Sequence, residues 1–230
     1  MSKVAWIIFS AVIVVLFGGL IIYSRASNPT ADVSSIDTNA VIAASDASGQ
    51  IGEHVYGKAD SKVIFVEYGD FQCPSCGAAH PQIKSVIEEY KDKIAFVYRN
   101  FPLTTIHPNA RVAAATVEAA GLQGKYWEMH DLVFESQSEW ESLSATDRTA
   151  KFTDYAVQLN LDKDKFVTDL ASSAVGKKIS FDQAIGKKVG VSATPAFYIN
   201  GEQLPESVAS AVVQGSTSEL KALLDQKLGN

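Results

Sequence analysis

Phe71-Gln72-Cys73-Pro74-Ser75-Cys76-Gly77 holds the only two cysteines of a 230-residue chain, two residues apart, where a strand pattern gives way to a helix pattern. Upstream, Lys62-Val63-Ile64-Phe65-Val66-Glu67-Tyr68 is mostly β-branched or aromatic and reads as a buried strand, with a turn at Gly69-Asp70. Downstream, Ile83, Val86, Ile87 and Tyr90 recur at helical spacing. Cys73 therefore falls at the first turn of a helix, where unpaired N–H groups and the positive end of the macrodipole favour an anion. Such a position lowers a thiol pKa and makes a reactive thiolate. Pro74 suits the first helical turn, because the N–H it lacks has no helical partner there.

Four readings of the cysteine pair compete. A structural disulfide closing so short a loop stabilises little. A zinc or copper site can draw on Cys73, Cys76 and His80 at i, i+3 and i+7, but no fourth ligand suggests itself, and structural zinc usually takes four. Two inert buried thiols are the plainest alternative. A C-x-x-C at a strand-to-helix junction is a recognised redox signal, and the rest of the chain favours that reading.

Working outward, the N-terminal side begins with Val4 to Tyr23, 20 residues without a charge between Lys3 and Arg25. At helical rise this covers a ~30 Å hydrocarbon core, and it exceeds the ~7–15-residue apolar region of a cleaved signal peptide. Residues 1–23 are therefore expected to form an uncleaved transmembrane anchor, with the N-terminus inside and the remainder outside the cytoplasm. Residues 24–50, rich in Ser, Ala, Asp, Asn and Thr, read as a flexible linker. Residues 51–230 remain as about one domain of ~180 residues. A net charge of −6, without a basic cluster, argues against nucleic acid as a partner.

Within the domain, His54–Gly57 is a candidate first strand, and Ile94–Tyr98 a later one ending in the loop Arg99–Leu103. Pro81 is expected to kink the first helix, with Gly77 relieving crowding there. His80 reads as a helix-surface histidine. Glu67, mid-strand, is either buried with a raised pKa or at an edge facing water. Residues 104–190 read as a helical block, with helices opening near Pro108, Lys125, Thr146 and Asp164. Ala196–Ile199 returns to strand, Asn200-Gly201 is a strong hairpin signal, and Pro205 shortens the return strand or puts it at an edge. Ser216 to Leu228 closes the chain as an amphipathic helix.

Together these features resemble the thioredoxin superfamily, specifically the DsbA-like thiol:disulfide oxidoreductases with an inserted helical domain. The matching residues are Glu67, Cys73-Pro74-Ser75-Cys76, Pro81, Phe101-Pro102-Leu103, Gly124-Lys125-Tyr126-Trp127, and Gly190 through Phe197 with Asn200-Gly201. The fold class expected is thus α/β, a thioredoxin fold with a helical insertion at about 104–190, preceded by a transmembrane helix and linker. The resemblance implies a cis Thr194–Pro195 bond, whereas sequence alone favours a trans proline opening a strand. It also implies that this loop faces the cysteines and pairs with a bound client, and that Glu67 helps move protons at Cys76.

The expected function is a membrane-tethered, extracytoplasmic disulfide oxidase. Cys73 is the exposed nucleophile that forms a mixed disulfide with a client, Cys76 resolves it, and Pro74 and Ser75 tune the pair. Thiolate attack on a disulfide sulfur is the whole reaction, so no metal or organic cofactor is required. Because Pro74-Ser75 supplies no cation, the oxidant should be weaker than relatives with a histidine between their cysteines. A quinone-linked membrane oxidase of the DsbB or VKOR type is implied as the recycling partner. The alternatives are a reductase or isomerase, a copper-delivery module on the same fold, and a holdase using apolar surface at Phe101–Leu103. The linker is too short for a dedicated dimerisation domain, which points to a monomer.

Overall fold

Ile64-Phe65-Val66-Glu67-Tyr68-Gly69 forms strand β2 (Ile64–Gly69), and its neighbours on both sides explain its apolar character. The structure is a computed structural model that describes residues 31–229. The Val4–Tyr23 run and the anchor expected there lie outside the described residues, and among these no helix is long and apolar enough to cross a membrane. Strand β3 (Ala95–Asn100) lies parallel to β2, and β1 (Val55–Gly57) antiparallel to β3. On the other side β4 (Ala196–Ile199) runs antiparallel to β2 and pairs with the short β5 (Glu202–Gln203), giving the order β1-β3-β2-β4-β5. Asn200 (φ 49°) and Gly201 (φ 76°) make the two-residue turn between β4 and β5, as the hairpin signal predicts.

Register decides which face each side chain takes. Phe65 lies opposite Phe96 and Ile199, and Glu67 opposite Tyr98 and Phe197, so these six share a face. Helix α1 (Pro74–Tyr90) joins that core through Ile83, Val86, Ile87 and Tyr90. It crosses from β2 to β3 and runs unbroken through Pro81. On the opposite face Tyr68 packs edge-on against Tyr198, with ring centroids 5.3 Å apart.

Between β3 and β4 come six helices: α2 (Ala110–Gly121), α3 (Tyr126–Glu135), α4 (Gln137–Trp140), α5 (Ala145–Gln158), α6 (Lys163–Leu170) and α7 (Ser173–Lys188). The side chains of Ser144, Asp162 and Ser172 cap α5, α6 and α7, each contributing about 1 kcal/mol. Gly186 lets α7 approach the sheet: a Cβ there would lie 2.6 Å from the ring of Phe101. Phe101 is thus buried against α7, and the apolar surface expected of a holdase at Phe101–Leu103 is largely covered. The return strand β5 is two residues long and lies at the sheet edge, as Pro205 implies, and Pro205 also stands at the N-cap of an additional helix, α8 (Glu206–Val213), ahead of α9 (Ser218–Leu228).

Residues 32–50 depart from the flexible linker expected of their composition. Lys188 Nζ donates to the carbonyls of Val33, Ser34 and Ile36, each at 2.9 Å. Arg99, on β3 and 1% exposed, donates to Thr38 O at 3.0 Å and Ala40 O at 3.1 Å, while pairing with Glu53 at 2.5 Å and Tyr68 Oη at 2.8 Å. The other Glu53 oxygen accepts the Ile42 N–H at 2.7 Å. A polar segment is held here through its backbone carbonyls, which composition does not report.

Candidate active site

Cys73 is the N-cap of α1, with φ −70° and ψ 123°, and Pro74 occupies the first turn as its missing N–H allows. The turn before it is braced by Asp70, whose carboxylate accepts from Gln72 N, Leu103 N and His107 Nδ1, each at 2.8 Å. The Cys73 N–H donates to Asp70 O at 3.0 Å, and its carbonyl accepts the Gly77 N–H at 3.1 Å. The Cys73 thiol donates to the carbonyl of Thr194 at 3.4 Å, across 121 residues, and the Thr194–Pro195 bond is cis. Thus the loop before β4 meets the cysteines, as the resemblance implies.

The two sulfurs differ sharply. A hydrogen bond from the Cys76 thiol is the main cause that lowers the Cys73 pKa from 9.0 to about 5; the Thr194 side chain and the N–H groups of Cys76 and Ser75 add to it against burial. Cys76, fully buried, is pushed well above 9.0 by burial, by its bond to Cys73 and by the charge of Glu67. Cys73 itself is only 7% exposed, less open than the exposed nucleophile expected, while its neighbours Pro74 and Ser75 face solvent. A groove of about 470 Å³ begins at Ser75 and runs past Val191, Thr194 and Pro195 to Leu204 and Val213 on α8.

Glu67 is buried, 3% exposed, because β2 has a strand on either side. Burial, then the charge on Cys73, raises its pKa from 4.5 to about 8. The two shifts act oppositely on stability. The depressed Cys73 pKa contributes stability that is present above 9 and lost as pH falls through about 5. The raised Glu67 pKa contributes stability that is full below 4.5 and lost as pH rises through about 8. Thiolate absorbance of the reduced protein should therefore titrate with a midpoint near 5. Glu67→Gln should stabilise the reduced protein at pH 7 by up to about 3 kcal/mol in urea melts. A thiolate midpoint above 7, or an unchanged melt, would contradict this electrostatic account.

Several residues that position the site carry no sequence signal. Gln137 on α4 donates to Phe71 O at 2.7 Å and Cys73 O at 3.0 Å, so the helical insert grips the cysteine turn. Gly77 also leaves room for this amide, since a Cβ there would lie 2.5 Å from Gln137 Oε1. Gln72 accepts from Asn109 N at 2.6 Å and donates to Glu141 O at 2.8 Å, continuing the seam between turn and insert. No periodicity or motif marks these amides, because their partners lie 37 to 69 residues away.

His80 is not on the surface: it is 6% exposed and stacks on Phe134 of α3, and burial lowers its pKa to about 3. Among the described residues, the candidate metal ligands that come together are His80, His130 and Asp131. The set Cys73, Cys76 and His80 considered for zinc or copper is not among them.

Comparison with known proteins agrees with the fold. The profile of the family described as thioredoxin matches residues 49–221. The chain is 41% identical over 151 residues to the Na(+)/H(+) antiporter NhaA 1 of Salinispora arenicola; the match covers 66% of this chain and 22% of that protein. The chain thus spans about a fifth of that relative's length, and antiport is named for the whole protein. Oxidised BdbD from Bacillus subtilis superposes with a TM-score of 0.65 at 22% identity, over 83% of this chain and 98% of that one. MdbA of Corynebacterium diphtheriae, described as a thiol-disulfide oxidoreductase, gives 0.57 at 20% identity, over 80% and 98%.

Proposed function

Because the chain belongs to the thioredoxin family and has the fold of its DsbA-like members, we propose that it is a thiol:disulfide oxidoreductase that works as an oxidase. The observation that carries this reading is the split between the two thiols, Cys73 lowered to about 5 and Cys76 raised above 9.0. In the oxidised protein Cys73 and Cys76 share a disulfide. A client thiolate attacks Cys73 Sγ, forming a client–Cys73 disulfide and releasing Cys76, which takes up a proton. A second client thiolate then attacks the client sulfur and releases Cys73 as a thiolate. Two electrons pass from client to protein, and the client gains a disulfide. A low-pKa thiol leaves readily and stabilises the reduced form, which favours this direction.

Glu67, with a pKa of about 8, can hold the proton that Cys76 takes up or gives back. The Thr194–Pro195 loop and the groove beside it receive the client's backbone and side chains. Pro74-Ser75 places no cation at the thiolate, so the oxidant is weaker than relatives carrying a histidine there. Residues 1–23 anchor the domain outside the cytoplasm as a monomer, with secreted or surface proteins as clients. A quinone-linked membrane oxidase of the DsbB or VKOR type reoxidises the pair.

The test mixes the oxidised protein with a reduced, unfolded two-cysteine polypeptide and follows both partners by thiol alkylation. Stoichiometric transfer of the disulfide to the polypeptide is expected. No transfer, together with rapid reduction of insulin disulfides by the reduced protein, would establish the reductase instead.

A further inference from the structure

We propose that His80, His130 and Asp131 form a site for a divalent transition-metal ion that ties α1 to α3, behind the cysteine pair. His80 follows Cys76 on α1 by one helical turn, while His130 and Asp131 lie on α3, so one ion would bridge two helices.

The geometry is close to what an ion requires. One ligand atom from each residue lies within 4.8 Å of the other two. His130 Nδ1 is 3.2 Å from Asp131 Oδ1, and His80 Nε2 is 3.7 Å from the same oxygen. Bonds of ~2.0–2.1 Å in a tetrahedral site put ligand atoms roughly 3.3 Å apart, so small side-chain rotations close the set. The two imidazole rings sit 5.4 Å apart at 60°, a spacing that two rings on one ion adopt.

Satisfaction of polar groups points the same way. His80 Nε2 is buried without a hydrogen-bond partner, and it is the atom turned toward Asp131. A buried ring nitrogen without a partner is uncommon, and coordination would supply one. Two imidazoles and one carboxylate suit zinc and its neighbours rather than calcium or magnesium, which take oxygen donors. Further coordination positions fall to water on the solvent side, where Asp131 is 29% and Lys84 41% exposed. Lys84 opposes a cation, since its ammonium is 2.9 Å from Asp131 Oδ2. It also pairs with Glu135 at 2.8 Å, however, and can swing outward while Asp131 Oδ1 takes the ion.

The test uses the full chain carrying Cys73→Ser and Cys76→Ser, so that thiols bind nothing and the result is independent of the redox reading. Zn²⁺ alone is titrated against a chromophoric chelator. The expected result is one equivalent bound, weakened at least about tenfold by Asp131→Asn and by His80→Gln, and tightened by Lys84→Met. Circular dichroism melts of the metal-free variants check folding. Co²⁺ added to the chain with an intact site should give the visible bands of a low-coordinate nitrogen and oxygen site. Absence of Zn²⁺ binding, binding unmoved by both ligand substitutions, or a Co²⁺ spectrum like that of the free aquo ion would overturn the proposal.

Discussion

Replacing Cys73 with serine is expected to abolish disulfide transfer to a reduced polypeptide completely, because a hydroxyl cannot take part in thiol–disulfide exchange. The fold should survive: the side chains are nearly isosteric, and the hydroxyl can still donate to Thr194 O, as the thiol does at 3.4 Å. Cys76→Ser should behave differently. Cys73 remains a low-pKa thiol but has no partner to resolve an adduct, so mixed disulfides with client proteins should accumulate through Cys73 and run as reducible bands on gels. The asymmetry of burial, 7% against 0%, sets this order, since only Cys73 lies where a client sulfur can approach. Adducts that form equally through Cys76 in the Cys73→Ser protein would refute the assignment of roles.

The second large effect concerns stability. Arg99→Met removes a buried guanidinium that bonds Glu53, Tyr68, Thr38 and Ala40, and it strands Glu53, whose side chain is 2% exposed. Breaking one partner of a buried pair costs about 3–5 kcal/mol, which urea denaturation would register. Adding Glu53→Leu should restore much of the loss, since no unpaired charge is then left inside. Residues 32–50 should also become more accessible to protease in the Arg99→Met protein, because two of their carbonyls lose a donor. A loss below about 1 kcal/mol would mean that this network does not hold the segment.

Much of the scaffold was legible because local pattern and tertiary role agree. The apolar run at Ile64–Tyr68, the helical spacing of Ile83, Val86, Ile87 and Tyr90, and Asn200-Gly201 each forecast the element found there. The cysteine pair was legible for the same reason, as a strand-to-helix junction can be read locally. What escaped depends on distant partners. Glu67 was ambiguous until both neighbours of β2 were known, and His80 looked like a surface residue until α3 covered it. The segment 32–50 has the composition of a linker, yet Arg99 and Lys188 secure it by carbonyl contacts. Pro205 was read for the short edge strand before it, which is found, but not for the helix it opens, which Val208 and Val212 bury.

The measurement that bears most directly on the central claim is the redox equilibrium of the full chain in a graded series of glutathione buffers, following the Cys73–Cys76 disulfide by alkylation. The stabilised Cys73 thiolate predicts a potential more oxidising than the glutathione poise of an oxidising compartment such as the endoplasmic reticulum, above roughly −180 mV. A value near that of thioredoxin, about −270 mV, would contradict the oxidase and make the same pair a reductant.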